Sequence, residues 1–291
     1  MRTTIRTAVM VLVLSAATSG WVRAEGVGES KTFHGPVGLQ LYSLRDQFAK
    51  DGVTPVLDLV QKWGFKYVEV AGTYGMSNAD FKAELTKRGL VPIGAHYGYD
   101  RLRDDIEGVI KDAKEMGLLY VGCAWAAHKP PFDEKQCREV AAVFNKAGKA
   151  LSEAGLKFYY HNHGFEFVPY KDGTLFDLLV EETNPKYVWF QLDVLWAVFP
   201  GQDPAKLIEK HPNRWLLFHL KDLKKGVETG SLAGGTDLTN DVTLGTGQVD
   251  WPALLRAAQK AGVKYYFIED ESPTVVDQIP QSLKFLSGVE L

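Results

Sequence analysis

The sequence predicts a (β/α)8 TIM barrel, folded as a single α/β domain. Three observations carry that prediction. From residue 36 onward, short apolar runs alternate with helically spaced segments eight times. Most of the apolar runs are continuous instead of alternating, the pattern of strands buried on both faces in a parallel sheet. The stretch 36–291 also has the size of such a barrel, typically about 250 residues.

The elements follow in order. Residues 37–42 read as the first strand, and Val53, Val56, Leu57, Val60 and Trp63 mark a helix over 53–63. Strand 2 is read at 66–70, with a helix over 78–88. Strand 3 is read at 91–96, with a helix over 102–116. Strand 4 falls at 118–122 and is followed by a long helix over 133–154. In the second half, strand 5 at 157–161 precedes a helix over 174–182, and strand 6 at 187–193 a helix over 204–210. Strand 7 at 215–219 is followed by a helix over 251–261, where Pro252 suits the first turn. Strand 8 at 265–269 leads into the last helix, 273–286. Gly64, Gly89, Gly117, Gly155 and Gly262 stop helices just before strands. A doubly wound open sheet is the structural alternative. It would carry a glycine-rich phosphate loop after strand 1, whereas Ser43-Leu-Arg-Asp-Gln stands there.

Two segments stand apart from this rhythm. Residues 221–250 form a Gly- and Thr-rich connection too long for a simple turn; it reads as a lid or substrate loop, with 228–235 its most flexible part. Residues 1–24 read as a secretory signal: Arg2 and Arg6, a short apolar run, then Val22-Arg23-Ala24. The expectation is a periplasmic or secreted protein, with 25–35 a flexible lead-in and no membrane association after cleavage. Cys123 and Cys137 read as two separate buried thiols. The net charge of -3 and pI near 6.2 give no electrostatic case for nucleic acid. A small-molecule sugar is the expected partner, and the reading leaves a homodimer open.

In a barrel the active site is built at the C-terminal strand ends. His96 ends strand 3, His161 and His163 close strand 5, Asp193 ends strand 6, His219 strand 7 and Glu269 strand 8. Of seven histidines in the chain, four stand at these ends, so placement is not scattered. His161, Asp193, His219 and Glu269 form a candidate ligand set for a divalent metal. Nitrogen with oxygen donors suits Mn, Zn, Fe or Co better than Ca, and the absence of thiolate argues against a structural zinc site. Taken singly, each residue has a plainer reading: His219 a core histidine, Asp193 a cap, Glu269 part of an acidic run, His161 and His163 loop residues. Their recurrence at corresponding places in successive units favours a site. Glu166, His163, Lys221 and Glu269 are the candidate acids, bases and oxyanion partners. His96, Trp125, His128, Trp196 and Glu69 are candidates for contacting substrate, although packing under loops explains the aromatics equally well.

A resemblance rests on six stretches: Gly38-Leu-Gln-Leu-Tyr-Ser-Leu-Arg45, Tyr160-His-Asn-His-Gly-Phe-Glu-Phe167, Leu192-Asp-Val-Leu-Trp-Ala197, His219-Leu-Lys-Asp222, Gly245-Thr-Gly-Gln-Val-Asp-Trp251 and Tyr266-Phe-Ile-Glu269. In their order and spacing they resemble the sugar phosphate isomerase/epimerase family, the xylose-isomerase-like barrels. The resemblance implies a divalent metal, often Mn, held by Glu, Asp, His and Glu at the ends of strands 5 to 8. Asp193, His219 and Glu269 match; His161 stands where the first glutamate is expected, with the nearby Glu166 an alternative as ligand or base, and the sequence leaves open which of His161, His163 and Glu166 touches the metal. Because paired glutamates serve epimerases of this family as opposed bases, that departure puts a two-base epimerisation in doubt. The His-Asn-His version resembles a secreted branch proposed to act on 3-keto sugars and glycosides. A sugar-binding barrel without catalysis and a metal-dependent endonuclease of the same fold are the competing readings.

Overall fold

A computed structural model describes residues 26–291. The segment read as an export signal, 1–24, lies outside the described residues. Eight parallel strands close into a barrel in chain order: β1 Val37–Gln40, β2 Tyr67–Val70, β3 Val91–His96, β4 Tyr120–Cys123, β5 Lys157–His161, β6 Val188–Asp193, β7 Trp215–Leu220 and β8 Tyr265–Ile268. Closure pairs β8 with β1, Tyr266 lying opposite Val37. The eight-unit barrel expected from the sequence is therefore the fold.

Alternation of side chains along each strand divides the core in two. Val68, Tyr160 and Phe218 belong to the large apolar layer between the barrel and its helices. Tyr159, Leu217 and Phe267 fill the barrel axis. The axis is tight. A Cβ on Gly122 would lie 2.3 Å from the Tyr159 ring, and one on Gly38 would lie 2.6 Å from the Phe267 ring. Small residues on one strand thus admit large aromatics from the next.

Local chemistry sets the ends of the elements and explains where they depart from expectation. β1 is shorter than predicted because the Gln40 side chain accepts the N–H of Tyr42 at 3.1 Å and turns the chain into a 3-10 turn, Leu41–Leu44. The helix expected over 102–116 divides into Tyr99–Asp104 and Ile106–Met116, with Asp105 capping the second through the N–H of Gly108. Thr174 and Asp177 form a capping box at Leu175–Glu182. Gly262 ends Trp251–Ala261 in the left-handed region, at φ 74°. A short helix, Val194–Val198, was not expected; Asp193 nucleates it by accepting the N–H of Trp196 at 2.9 Å.

The long connection has internal structure. Asp222–Leu223 pairs antiparallel with Asp241–Val242, so the segment is a hairpin standing on the C-terminal face. Asp222 secures its base, accepting from the N–H groups of Gly245 (2.9 Å) and Gly247 (3.1 Å) and from Trp251 Nε1 (2.9 Å). The Gly245-to-Trp251 motif is therefore a cradle for one carboxylate. Residues 26–35 correct the expectation of a flexible lead-in. Phe33 is buried edge-on to Tyr266, and Ser30 Oγ donates to the carbonyl of Val289 at 2.7 Å. Cys123 and Cys137 are buried free thiols. Among the described residues, no helix is long and apolar enough to cross a membrane.

Because Gly122 faces Tyr159 with no room for a methyl group, Gly122→Ala forces the ring or strand to move. A loss of about 1–3 kcal/mol in chemical denaturation is expected. An unchanged denaturation midpoint would show that the axis is looser than this packing.

Candidate functional site

A cleft of about 420 Å³ opens at the C-terminal ends of the strands. Its walls are Tyr42, Trp125, His163 and Trp196, with Gly234–Leu238 contributed by the hairpin after β7. The predicted substrate loop thus lines the site. His96, His161, Lys221 and Glu269 also border the cleft.

One atom each from His161, Asp193, His219 and Glu269 lie within 4.8 Å of one another, and all four residues are buried. They come from β5, β6, β7 and the residue after β8. Asp193 answers both readings of it. Its Oδ1 caps the following helix, while Oδ2 is buried and has no hydrogen-bond partner. A buried carboxylate oxygen left unpartnered among two imidazoles and a second carboxylate is a donor set that fits a divalent cation. His219 is prepared in the same sense. Nε2 bonds the Glu69 carboxylate, and Nδ1 lies 3.1 Å from Glu269 and 3.9 Å from Asp193 Oδ2. A carboxylate behind an imidazole orients the ring and strengthens its other nitrogen as a ligand. Asn162 locks β5 to β6, its Oδ1 accepting the N–H of Asp193 at 3.0 Å.

Burial sets the electrostatics of the cluster. It pushes Asp193 up to about 7, and Glu269 adds to the effect. Glu269 itself is held well below the usual range: burial opposes this, but Lys221 and His219 outweigh it. For His219 burial disfavours charge, yet Glu269 and Glu69 raise it to about 10. Burial, reinforced by His219 and His163, drives His161 well below its ordinary value, so it is neutral with a lone pair to offer.

The remaining candidates divide into those in the cleft and those outside it. His163 lines the cleft between Trp125 and Trp196, ring centroids at 4.9 and 5.5 Å. Burial, with Lys221 nearby, lowers it to about 3, which keeps it neutral. Lys221 is buried, not a surface lysine. Its Nζ donates to Glu271 Oε1 at 2.5 Å and lies 3.4 Å from Glu269 Oε2. Burial opposes the charge, but the carboxylates of Glu269 and Glu271 hold it well above the ordinary range.

Three candidates fall elsewhere. Glu166 is fully buried and bonds the Tyr160 hydroxyl and the N–H of His163 (2.9 Å). Tyr160 points into the layer between barrel and helices, so Glu166 lies behind the wall and does not line the cleft. Glu69 is not a substrate contact; it sits fully buried under His219. His128 packs behind Trp125, against Phe132 and Phe165, with Nδ1 on the Ala126 carbonyl at 2.8 Å. Sequence reasoning also missed residues. Glu271 and Asp241 line the cleft around Lys221, and the N–H of Glu271 donates to Asp241 at 2.7 Å. The amide of Gln191 lies beneath the histidines. Only Gln191 left a local trace, as a polar residue inside an apolar strand two positions before Asp193.

The fold is a closed parallel barrel with two imidazoles and two carboxylates gathered at the ends of its last four strands, a donor set that could hold a metal ion. The chain belongs to the xylose isomerase-like TIM barrel family, whose model matches residues 57–288. It is 35% identical over 99 residues to an inosose dehydratase of Clostridium tetani, covering 34% of this chain and 33% of that protein. The chain thus spans about a third of the length of that relative, and about half to three fifths of the next ones. In structure it is similar to a sugar phosphate isomerase/epimerase of Parabacteroides distasonis, with TM-score 0.72, 24% identity and coverage of 88% and 95% of the two chains. It is also similar to the IolI protein, solved with a bound zinc atom, with TM-score 0.67, 14% identity and coverage of 86% and 95%. At these identities the structures establish the shared fold.

The pKa shifts define a pH window for the metal-free protein. His219 is raised from 6.5 to about 10, so its contribution is complete below 6.5 and fades as pH rises through 10. Burial alone would raise Glu69, but His96 and His219 lower it from 4.5 to about 2; its contribution is present above 4.5 and lost as pH falls through 2. Stability from this pair is greatest between 4.5 and 6.5. A cation held by His219 would displace its proton, so binding at pH 7 is expected to release about one to two protons. Calorimetry in buffers of different ionisation enthalpy measures that number, and a value of zero would exclude His219 as a ligand.

Proposed function

We propose that the chain is a divalent-metal-dependent enzyme acting on a keto-sugar or 3-keto-glycoside. The reaction begins with removal of a proton alpha to the carbonyl. The observation that carries this reading is the unpartnered Asp193 Oδ2, buried among His161, His219 and Glu269 at the edge of a sugar-sized cleft. His161, Asp193, His219 and Glu269 would hold the metal, with Mn the first expectation and Zn, Co or Fe the alternatives. When bound, it would supply Lewis-acid polarisation of the substrate carbonyl.

The protein's own groups supply the rest. Lys221 stays protonated, so it acts as a fixed positive donor to the oxygen on which charge develops and not as a base. His163 faces the cleft between Trp125 and Trp196, so its position makes it the group placed to accept the proton. Glu166, behind the wall, has no access to substrate. Trp125 and Trp196 flank His163 and limit water around it. From the substrate enolate, protonation at the neighbouring carbon completes an isomerisation; expulsion of a β-oxygen breaks a C–O bond and completes an elimination. The relatives named inosose dehydratases, a name that denotes loss of water, support elimination. The acidic balance of the chain disfavours a nucleic-acid substrate. We also propose that residues 1–24 direct export, which fractionation of the expressed full chain tests.

Purified protein is expected to carry one divalent metal per chain, and Asp193→Ala and His219→Ala to lose both the metal and turnover of a 3-keto-glucoside. Stoichiometric metal-free protein that remains active, or variants unchanged in both respects, would remove this reading. NMR of the products separates the two outcomes: free aglycone means elimination, and an altered sugar with its aglycone retained means isomerisation.

A further inference from the structure

Gln191 has no part in the chemistry above, yet it is fully buried on β6, two residues before Asp193 and on the same face of the strand. Its Nε2 donates to Glu69 Oε1 at 2.9 Å. That orientation is dictated by its surroundings. Glu69 also collects donors from Gln40, Tyr159 and His219, so only the donor end of an amide can face it. The amide oxygen is thereby turned to two imidazoles, 3.2 Å from His161 Nδ1 and 3.0 Å from His96 Nε2. An amide oxygen only accepts, so each of those nitrogens carries a hydrogen.

We propose that Gln191 is a positioning residue that sets the tautomers of both histidines through this one oxygen. His161 is the Nδ1–H form, which leaves Nε2 as the nitrogen with a lone pair for the ligand cluster. His96 is the Nε2–H form, which leaves Nδ1 as its acceptor in the cleft its ring lines. Glu69 orders the chain of bonds from below: it fixes Gln191 on one side and His219 on the other. Both imidazoles of the proposed ligand set are thus oriented by one buried carboxylate, His219 directly and His161 through an amide. A glutamine serving only to fill space would be replaceable by an apolar residue of similar length, with no effect on either imidazole. The effect on metal affinity rests on the proposed metal function; the tautomer assignment does not.

The test uses full-length protein with 15N-labelled histidine. Long-range 1H–15N NMR of the metal-free wild type is expected to show His161 protonated at Nδ1 and His96 at Nε2. In Gln191→Met, both are expected to become tautomer mixtures while thermal melting stays cooperative. Zn2+ affinity measured by calorimetry is expected to fall about 10- to 100-fold. Finding His161 of the wild type protonated at Nε2 overturns the proposal, and this reading does not depend on whether the variant folds. Unchanged tautomers in folded Gln191→Met overturn it as well. If the wild type binds no Zn2+ but the tautomers follow Gln191, the positioning role stands and the metal function fails.

Discussion

A single carboxylate on the barrel axis organises the site. Glu69 extends from β2 and accepts hydrogen bonds from Gln40, Tyr159, Gln191 and His219, side chains of β1, β5, β6 and β7. An ionised carboxylate out of reach of water costs several kcal/mol unless its lone pairs are satisfied. Here four donors from four other strands satisfy it. The same bonds tie the strands into register and aim an imidazole at the cluster above. Tyr159 joins the two tasks: its ring fills the space left by Gly122, and its hydroxyl bonds Glu69. Packing at the axis and orientation at the site are therefore one construction.

Above that floor, the cluster is balanced by charge. Asp193 and Glu269 bring two carboxylates, and Lys221 brings a buried ammonium shared with Glu271. Burial favours neutral forms of the histidines beside them, while His219, caught between Glu69 and Glu269, keeps its proton. Such a cluster is costly for a protein that needs only stability, because apolar residues would fill the same volume at lower cost. Its arrangement makes sense as one in which a cation replaces protons.

Division of labour among the carboxylates follows from which face each one occupies. Asp222, two residues along the same strand end as His219's neighbour Leu220, faces away from the cluster and holds the hairpin. Asp241 comes back from that hairpin to meet Glu271 and Lys221, so the wall of the cleft is tied to its charged edge. Glu166 takes the opposite side of the barrel wall and braces the loop after β5.

What the sequence by itself determined was the rhythm and the strand ends. Eight apolar runs, helix-stopping glycines and four donors at the ends of strands 5 to 8 are local features, since strand burial, capping and chain reversal act over a few residues. The tertiary structure decided which donors meet. His161 and Glu166 are five residues apart in one motif, yet one faces the axis and the other faces the helices, because alternation along β5 and the 3-10 turn after it send them to opposite sides. Glu69 and Gln191 could not be assigned from sequence for the same reason: their partners lie on other strands, and only the stagger of the closed barrel brings those side chains to one level. Spacing along the chain specifies a residue's place in its strand; the register between strands specifies its neighbours.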